Sequence, residues 1–210
     1  MRRLKLALLS LWLALPLPAT ALASETALVA GGCFWCVESD FCRVQGVEVV
    51  RVGFSGGRVE NPSYDDVVRG RTDHLEAALI TFDPDQISYG QILHLFLRSI
   101  DPLDAGGQFC DRGAHYTTAI FATPDQMPQA RAAIDQAEAD LGRDIVTALR
   151  DAGPFYEAEE FHQNYANSTE RTLTRFGWVE RRDAYKRYRE ACGRDRRVRE
   201  VWGEAAPFAN

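Results

Sequence analysis

Apolar and polar positions along the chain switch repeatedly between a period of two and a helical period. Thr26 to Ala30 is a short apolar run that ends at Gly31-Gly32 and predicts a strand; Cys33 to Arg43 follows with helical spacing. Val47 to Phe54 is rich in β-branched residues and closes at Gly56-Gly57, a second strand. The third, Leu75 to Phe82, is ended by Asp83-Pro84. Its one face carries Leu75, Ala77 and Leu79, its other Glu76, Ala78, Ile80 and Phe82. Both faces are apolar, so the strand is central and Glu76 is a lone carboxyl on a buried face. Ser88 to Ser99 predicts a helix with a serine N-cap. Thr117 to Ala122 is a fourth strand, Pro124 to Leu141 a helix and Ile145 to Leu149 a fifth strand. Helices are predicted over Glu159 to Gly177 and Glu180 to Glu190. No internal repeat, low-complexity tract or dividing linker interrupts this order. One α+β domain over 24–210 is expected, with 178–210 as a helical extension.

The first 23 residues stand apart. Arg2, Arg3 and Lys5 precede an apolar run from Leu6 to Leu15, Pro16 and Pro18 break it, and Ala21-Leu22-Ala23 offers a small-x-small cleavage pattern. This is the layout of a cleavable signal peptide over 1–23, against which an uncleaved anchor needs a longer apolar run. An exported, periplasmic protein is expected, in a compartment where disulfides persist. No apolar run reaches the length of a membrane span, so no stable membrane insertion is expected. The formal charge is −6, and loss of Arg2, Arg3 and Lys5 takes it to −9. That argues against nucleic acid as a partner. Nothing demands more than a monomer.

The chemistry concentrates at Gly31-Gly32-Cys33-Phe34-Trp35-Cys36. A cysteine that opens a helix faces free backbone N–H groups and the positive end of the helix dipole, which favour the nucleophilic thiolate. Cys36 falls on the same face one turn on. The pair reads as a redox couple, a structural disulfide or half a zinc site. Zinc is weakest, because no second Cys-x-x-Cys or His-x-x-x-His completes the ligands. No metal or cofactor is expected. Glu76, desolvated and therefore neutral, is a candidate proton donor; a strand-end Glu reaching solvent or an Arg is the competing reading. Cys110 to Tyr116 and the turn holding Tyr64 are, taken alone, as well explained by loop packing. His74 and His162 lack metal spacing and read as structural, Cys42 as a buried core thiol. The segment Arg181 to Arg199 holds nine Lys/Arg and three Asp/Glu and reads as a solvated face, with docking to acidic partners or a membrane surface the minority view.

Taken together, these segments resemble the A-type peptide-methionine sulfoxide reductases. The matching stretches are Gly32-Cys33-Phe34-Trp35 with Glu38, Gly53-Phe54-Ser55-Gly56-Gly57, Asn61-Pro62-Ser63-Tyr64 and Gly70-Arg71-Thr72-Asp73-His74-Leu75-Glu76. Asp111-Arg112-Gly113 with Tyr116 follows, then Gly153-Pro154-Phe155-Tyr156 with Glu159 and His162-Gln163. The resemblance implies a two-layer sandwich, a mixed β-sheet with helices of the ferredoxin-like, α-β plait type. It implies reduction of methionine S-sulfoxide, free or in proteins, as repair under oxidative stress. Cys33 would be the nucleophile, Phe34 and Trp35 the S-methyl pocket and Glu76 the acid. Tyr64 and Tyr116 would bind the sulfoxide oxygen and Asp111 organise the site. A Cys33 sulfenic acid would be resolved as a disulfide and recycled by a thioredoxin-like dithiol.

The chain departs from the family pattern at one point. Many members have glycine where Cys36 stands, and carry resolving cysteines in a Gly-rich tail absent here. Cys36 is therefore the first choice as resolving cysteine and Cys192 the second, with Cys110 open to taking part or to pairing with Cys192. Two other functions compete. A thioredoxin-like thiol–disulfide oxidoreductase would act without Glu76, and a non-catalytic module would hold no reactive thiol.

Overall fold

The computed structural model describes residues 23–209, so the predicted signal peptide, Ala23 apart, lies outside the described residues. The chain runs β1 (Glu25–Gly31), α1 (Phe34–Phe41), β2 (Val47–Ser55), a short α2 (Tyr64–Val68), β3 (Leu75–Phe82) and α3 (Tyr89–Leu97). A two-rung ribbon, β4 (Gly107–Gln108) with β5 (Asp111–Arg112), precedes β6 (Thr118–Ala122) and α4 (Met127–Leu141). There follow β7 (Ala148–Asp151), β8 (Phe155–Glu157), the hairpin β9 (Arg171–Thr174) and β10 (Gly177–Glu180), then α5 (Arg181–Ala191) and α6 (Arg194–Trp202).

Six strands form one sheet in the order β7-β6-β1-β3-β2-β8. Every pairing is antiparallel except β6 with β7. The inner four strands have plait order, and the expected mixed two-layer α+β fold is what forms. Alternation along the strands decides which side chains go where. Ala27 and Val29 of β1 and Ala78, Ile80 and Phe82 of β3 meet Val37 and Phe41 of α1, Ile92 and Phe96 of α3 and Ile134 of α4. Leu28, Ala30, Leu75, Ala77 and Phe121 fill a smaller cluster on the opposite face. Each large side chain so buried stabilises the fold by about 2 kcal/mol. Glu76 shares the helix-covered face with Ala78 and Ile80, as its register predicts, and so points at α1. The Ser88 cap of α3 is a capping box with Gln91.

Three expectations fail. No helix spans Glu159 to Gly177; two 3₁₀ turns (Glu160–His162, Tyr165–Asn167) and the β9–β10 hairpin take its place. Asn164 sits in the left-handed region at φ 52°, which no helix continues through. The alternating Arg171-Thr172-Leu173-Thr174 pairs with 177–180, putting Leu173 opposite Trp178. Cys42 is exposed, since α1 stops at Phe41 and leaves it as the C-cap. The Arg181–Arg199 segment is not wholly a solvated face: Arg194 is 2% exposed.

Candidate active site

Strand β1 delivers the chain to α1 through a turn that only glycine allows. Gly32 has φ +78°, and a Cβ there would lie 2.5 Å from Cβ of Gln108. Cys33 is the N-cap of α1, and the helix begins beneath β3. There the Phe34 N–H, one of the first-turn donors without an intrahelical partner, donates to Oε2 of Glu76 at 3.1 Å. Glu76 is 2% exposed. Burial pushes its carboxyl up to about 8, against the pull of the Phe34 N–H; Asp111 and Cys36 push the same way as burial. Glu76 is therefore protonated at neutral pH.

Cys33 and Cys36 are both buried and hydrogen-bonded to each other. Cys36 accepts, which with the guanidiniums of Arg194 and Arg189 brings its thiol down to about 7 against burial. Cys33 donates, and this bond, burial and the nearby Cys36, Glu76 and Asp111 hold its thiol well above the ordinary value. The helix N-terminus alone predicts the thiolate on Cys33; in the folded chain the surroundings raise the Cys33 thiol and lower that of Cys36, so they favour the thiolate on Cys36.

Tyr64 opens α2, whose N-cap Ser63 accepts the Asp66 N–H. Tyr116 ends a 3₁₀ turn just before β6. The two hydroxyls are hydrogen-bonded, and Tyr116 is bonded to Glu76. Burial raises both phenols, so both stay protonated. Asp111, on β5, is part-buried and accepts a hydrogen bond from Tyr188. The sequence-predicted residues thus come together from five separate segments. His74 serves as predicted: its Nδ1 accepts the Gly57 N–H at 3.1 Å and its Nε2 lies 2.7 Å from the Val59 carbonyl, pinning the turn after β2.

Phe34 and Trp35 build an aromatic wall that sequence reasoning left incomplete. Trp35 stacks on Tyr165 at 3.9 Å and on His162 at 5.7 Å, and His162 also meets Tyr64 at 4.3 Å. His162 is buried, which lowers its pKa and keeps the ring neutral. Trp35, Tyr165, Phe176, Tyr185 and Tyr188 border an apolar cavity of about 360 Å³. A cleft of about 560 Å³ lined by Arg43, Arg189 and Arg196 contains none of the predicted site residues.

Cys192, the second candidate resolving cysteine, is bonded to Cys110. Cys33, Cys36 and Cys42 are free. Tyr188, Tyr165, Arg189 and Arg194 are the neighbours the sequence did not single out. The two arginines anchor on Asp40 of α1, Arg189 at 2.9 Å and Arg194 at 3.8 Å. A basic helix that carries two tyrosines, with Tyr185 four residues before Arg189, is the one hint the sequence offers. Among the described residues no group of three or more His, Cys, Asp or Glu is placed to hold a metal ion, and no helix is long and apolar enough to cross a membrane.

Residues 25–200 match the family model described as peptide methionine sulfoxide reductase. The chain is 44% identical over 191 residues to peptide methionine sulfoxide reductase MsrA 2 of Rhizobium meliloti strain 1021, covering 90% of this chain and 89% of that protein. It is 41% identical over 207 residues to MsrA 2 of Caulobacter vibrioides, 97% of this chain and 100% of that one. Methionine sulfoxide reductase A of Corynebacterium diphtheriae superposes with a TM-score of 0.65 at 30% identity, over 75% of this chain and 84% of that structure. Reduced Mxr1 of Saccharomyces cerevisiae also gives 0.65, at 26% identity over 69% and 84%. A buried acid over a cysteine-capped helix, on this sheet and in this company of relatives, makes the chain an oxidoreductase of the peptide methionine sulfoxide reductase A family.

Proposed function

We propose that the protein reduces methionine S-sulfoxide, free or in oxidised proteins, to methionine, and that it does so after export to the periplasm, as repair under oxidative stress. The observation that carries this reading is the neutral Glu76 carboxyl held on the Phe34 N–H beside the Cys33–Cys36 pair. A sulfoxide oxygen leaves sulfur only once protonated, so the reaction needs an acid and a nucleophile in one place.

In the first step Cys33 sulfur attacks the sulfoxide sulfur as its proton passes to the Cys36 thiolate. Glu76 gives its proton to the sulfoxide oxygen, on which Tyr64 and Tyr116 bond. Phe34 and Trp35 hold the methyl group. The hydroxyl then moves from the methionine sulfur to Cys33 sulfur as the S–O bond and the newly formed S–S bond break, the S–S electron pair returning to the methionine sulfur; this leaves methionine, a Cys33 sulfenic acid, a Cys36 thiol and an ionised Glu76. Cys36 then attacks the sulfenic sulfur; the disulfide forms and water departs. An external dithiol of the thioredoxin type reduces the disulfide by exchange, becoming a disulfide itself. The location of Cys36 one helical turn from Cys33 and the engagement of Cys192 with Cys110 both favour Cys36 as the resolving residue.

The test is methionine formation from separated S and R sulfoxides with excess dithiothreitol, in wild type and Cys33→Ser. Turnover of the S epimer alone, abolished in the variant, is expected. Turnover of neither epimer with retained activity on disulfides overturns the reading in favour of a thiol–disulfide oxidoreductase.

A further inference from the structure

We propose that Tyr188 is a positioning residue of this site, holding the Asp111 carboxylate in place, and that the Cys110–Cys192 bridge braces that hydrogen bond. The proposal rests on the reductase reading above. The hydroxyl of Tyr188 donates to Oδ1 of Asp111, and Sγ of Cys110 lies 3.7 Å from the same hydroxyl. Cys110 and Asp111 are neighbours in sequence, while Tyr188 and Cys192 are one turn apart at the end of α5, where the Cys192 N–H donates to the Tyr188 carbonyl at 3.0 Å. The disulfide and the hydrogen bond are therefore two adjacent rungs between the same two segments, 82 residues apart in sequence at the cysteines. A third tie lies beside them: the Arg194 guanidinium sits 4.6 Å over the Phe109 ring and donates to the Ser99 carbonyl at 2.9 Å. A C-terminal segment tied this way sets the place of a site carboxylate from outside the sheet.

The consequence for chemistry is electrostatic. Around Asp111 stand Tyr188, Arg194 and His115, and all three favour its ionised form against burial. Around Glu76 stand Cys33, Cys36, Tyr64, Tyr116 and Asp111. Charge on Asp111 keeps the proton on Glu76. Without the Tyr188 hydroxyl the Asp111 carboxylate loses the donor that fixes its place, its charge bears less on Glu76, and Glu76 releases its proton at lower pH. The alkaline limb of activity follows Glu76 downward.

The experiment compares wild type, Tyr188→Phe, Asp111→Asn and the double variant in kcat/KM for methionine S-sulfoxide from pH 5 to 10. Carbon-13 resonances of the Glu76 carboxyl, assigned with Glu76→Gln, give a titration independent of turnover. Tyr188→Phe is expected to move the alkaline limb and the Glu76 titration to lower pH and so to cut kcat/KM severalfold near pH 8, where Glu76 titrates. Asp111→Asn moves both in the same direction, and the double variant goes no further than Asp111→Asn alone. A Glu76 titration unmoved in Tyr188→Phe, or additive losses in the double variant, overturns the positioning role. Cys110→Ala/Cys192→Ala, with Tyr188 intact, decides the brace, which requires a smaller shift of the same sign. Should the wild type turn over neither epimer, the reductase reading fails, while the carboxyl titration still decides the link from Tyr188 to Glu76.

Discussion

Replacing Glu76 by Gln tests the central physical claim, because it makes stability and activity move in opposite directions. Gln keeps the shape and keeps an oxygen to accept the Phe34 N–H, but it can neither ionise nor donate an acidic proton. Taking a carboxyl from its ordinary 4.5 up to about 8 corresponds to a difference of about 5 kcal/mol between folded and unfolded chains. The sign follows from proton binding. The folded chain holds the Glu76 proton more tightly, so that contribution is fully present below about pH 4.5 and is lost as pH rises through about 8. Glu76→Gln loses nothing over that window. Other buried acids, Glu38 at about 7 among them, titrate in both proteins and cancel in the comparison.

The assay is paired thermal melting of wild type and Glu76→Gln from pH 4.5 to 9.5. Near pH 4.5 the two should melt together. By pH 9 the variant should melt about 10 °C or more above the wild type, given about 2–4 °C per kcal/mol for a domain of this size. Over the same range its turnover of methionine S-sulfoxide should fall by about two to four orders of magnitude, the contribution of a placed general acid. A melting difference that stays flat with pH would show that Glu76 does not hold its proton into the neutral range. The account of the acid would then have to be abandoned, whatever happened to activity.

Two further outcomes follow from the cysteines. Cys36→Ser should release one methionine per chain and then stall when a thioredoxin-type protein is the reductant, with the sulfenic acid on Cys33 trapped by dimedone; sustained turnover would remove Cys36 from the resolving role. The Cys110–Cys192 bridge closes a loop with a separation of 82 residues and so stabilises by about 4 kcal/mol. Reducing it should lower the melting temperature by roughly 10 °C, whereas Cys110→Ala/Cys192→Ala should melt at the lower temperature with or without dithiothreitol.

How far the chain could be read depended on whether a residue's role was local. Glu76 was legible because strand alternation alone puts it on a buried face, and β3 carries that alternation unbroken between His74 and Asp83. Cys33 was legible because two glycines before a helical run announce a strand-to-helix turn. The hairpin at 171–180 was missed because Thr172, Leu173 and Thr174 have neighbours spaced well enough to mimic a helix. What excludes the helix is the left-handed Asn164, a backbone state that composition does not announce. Tyr188 was missed for a deeper reason. Its partner, Asp111, lies 77 residues away, and nothing in a basic amphipathic helix says which tyrosine turns inward.

The same distinction explains why the protonation of the cysteine pair could not be read from position in the helix. The first-turn N–H groups and the helix dipole favour thiolate at Cys33, by a fraction of a kcal/mol to about 2 kcal/mol. Against that the fold sets a buried acid, a second carboxylate and a neighbouring sulfur backed by Arg189 and Arg194. The local term is outweighed because the opposing groups are desolvated and converge from β3, β5 and the C-terminal helices. The result suits the chemistry. A Cys33 thiolate, whose thiol the site holds well above the ordinary value, would compete with Glu76 for the acid's proton. On the mechanism proposed above, a Cys33 that keeps its own proton until substrate arrives, with Cys36 ready to receive it, lets acid and nucleophile share one dry space without neutralising each other.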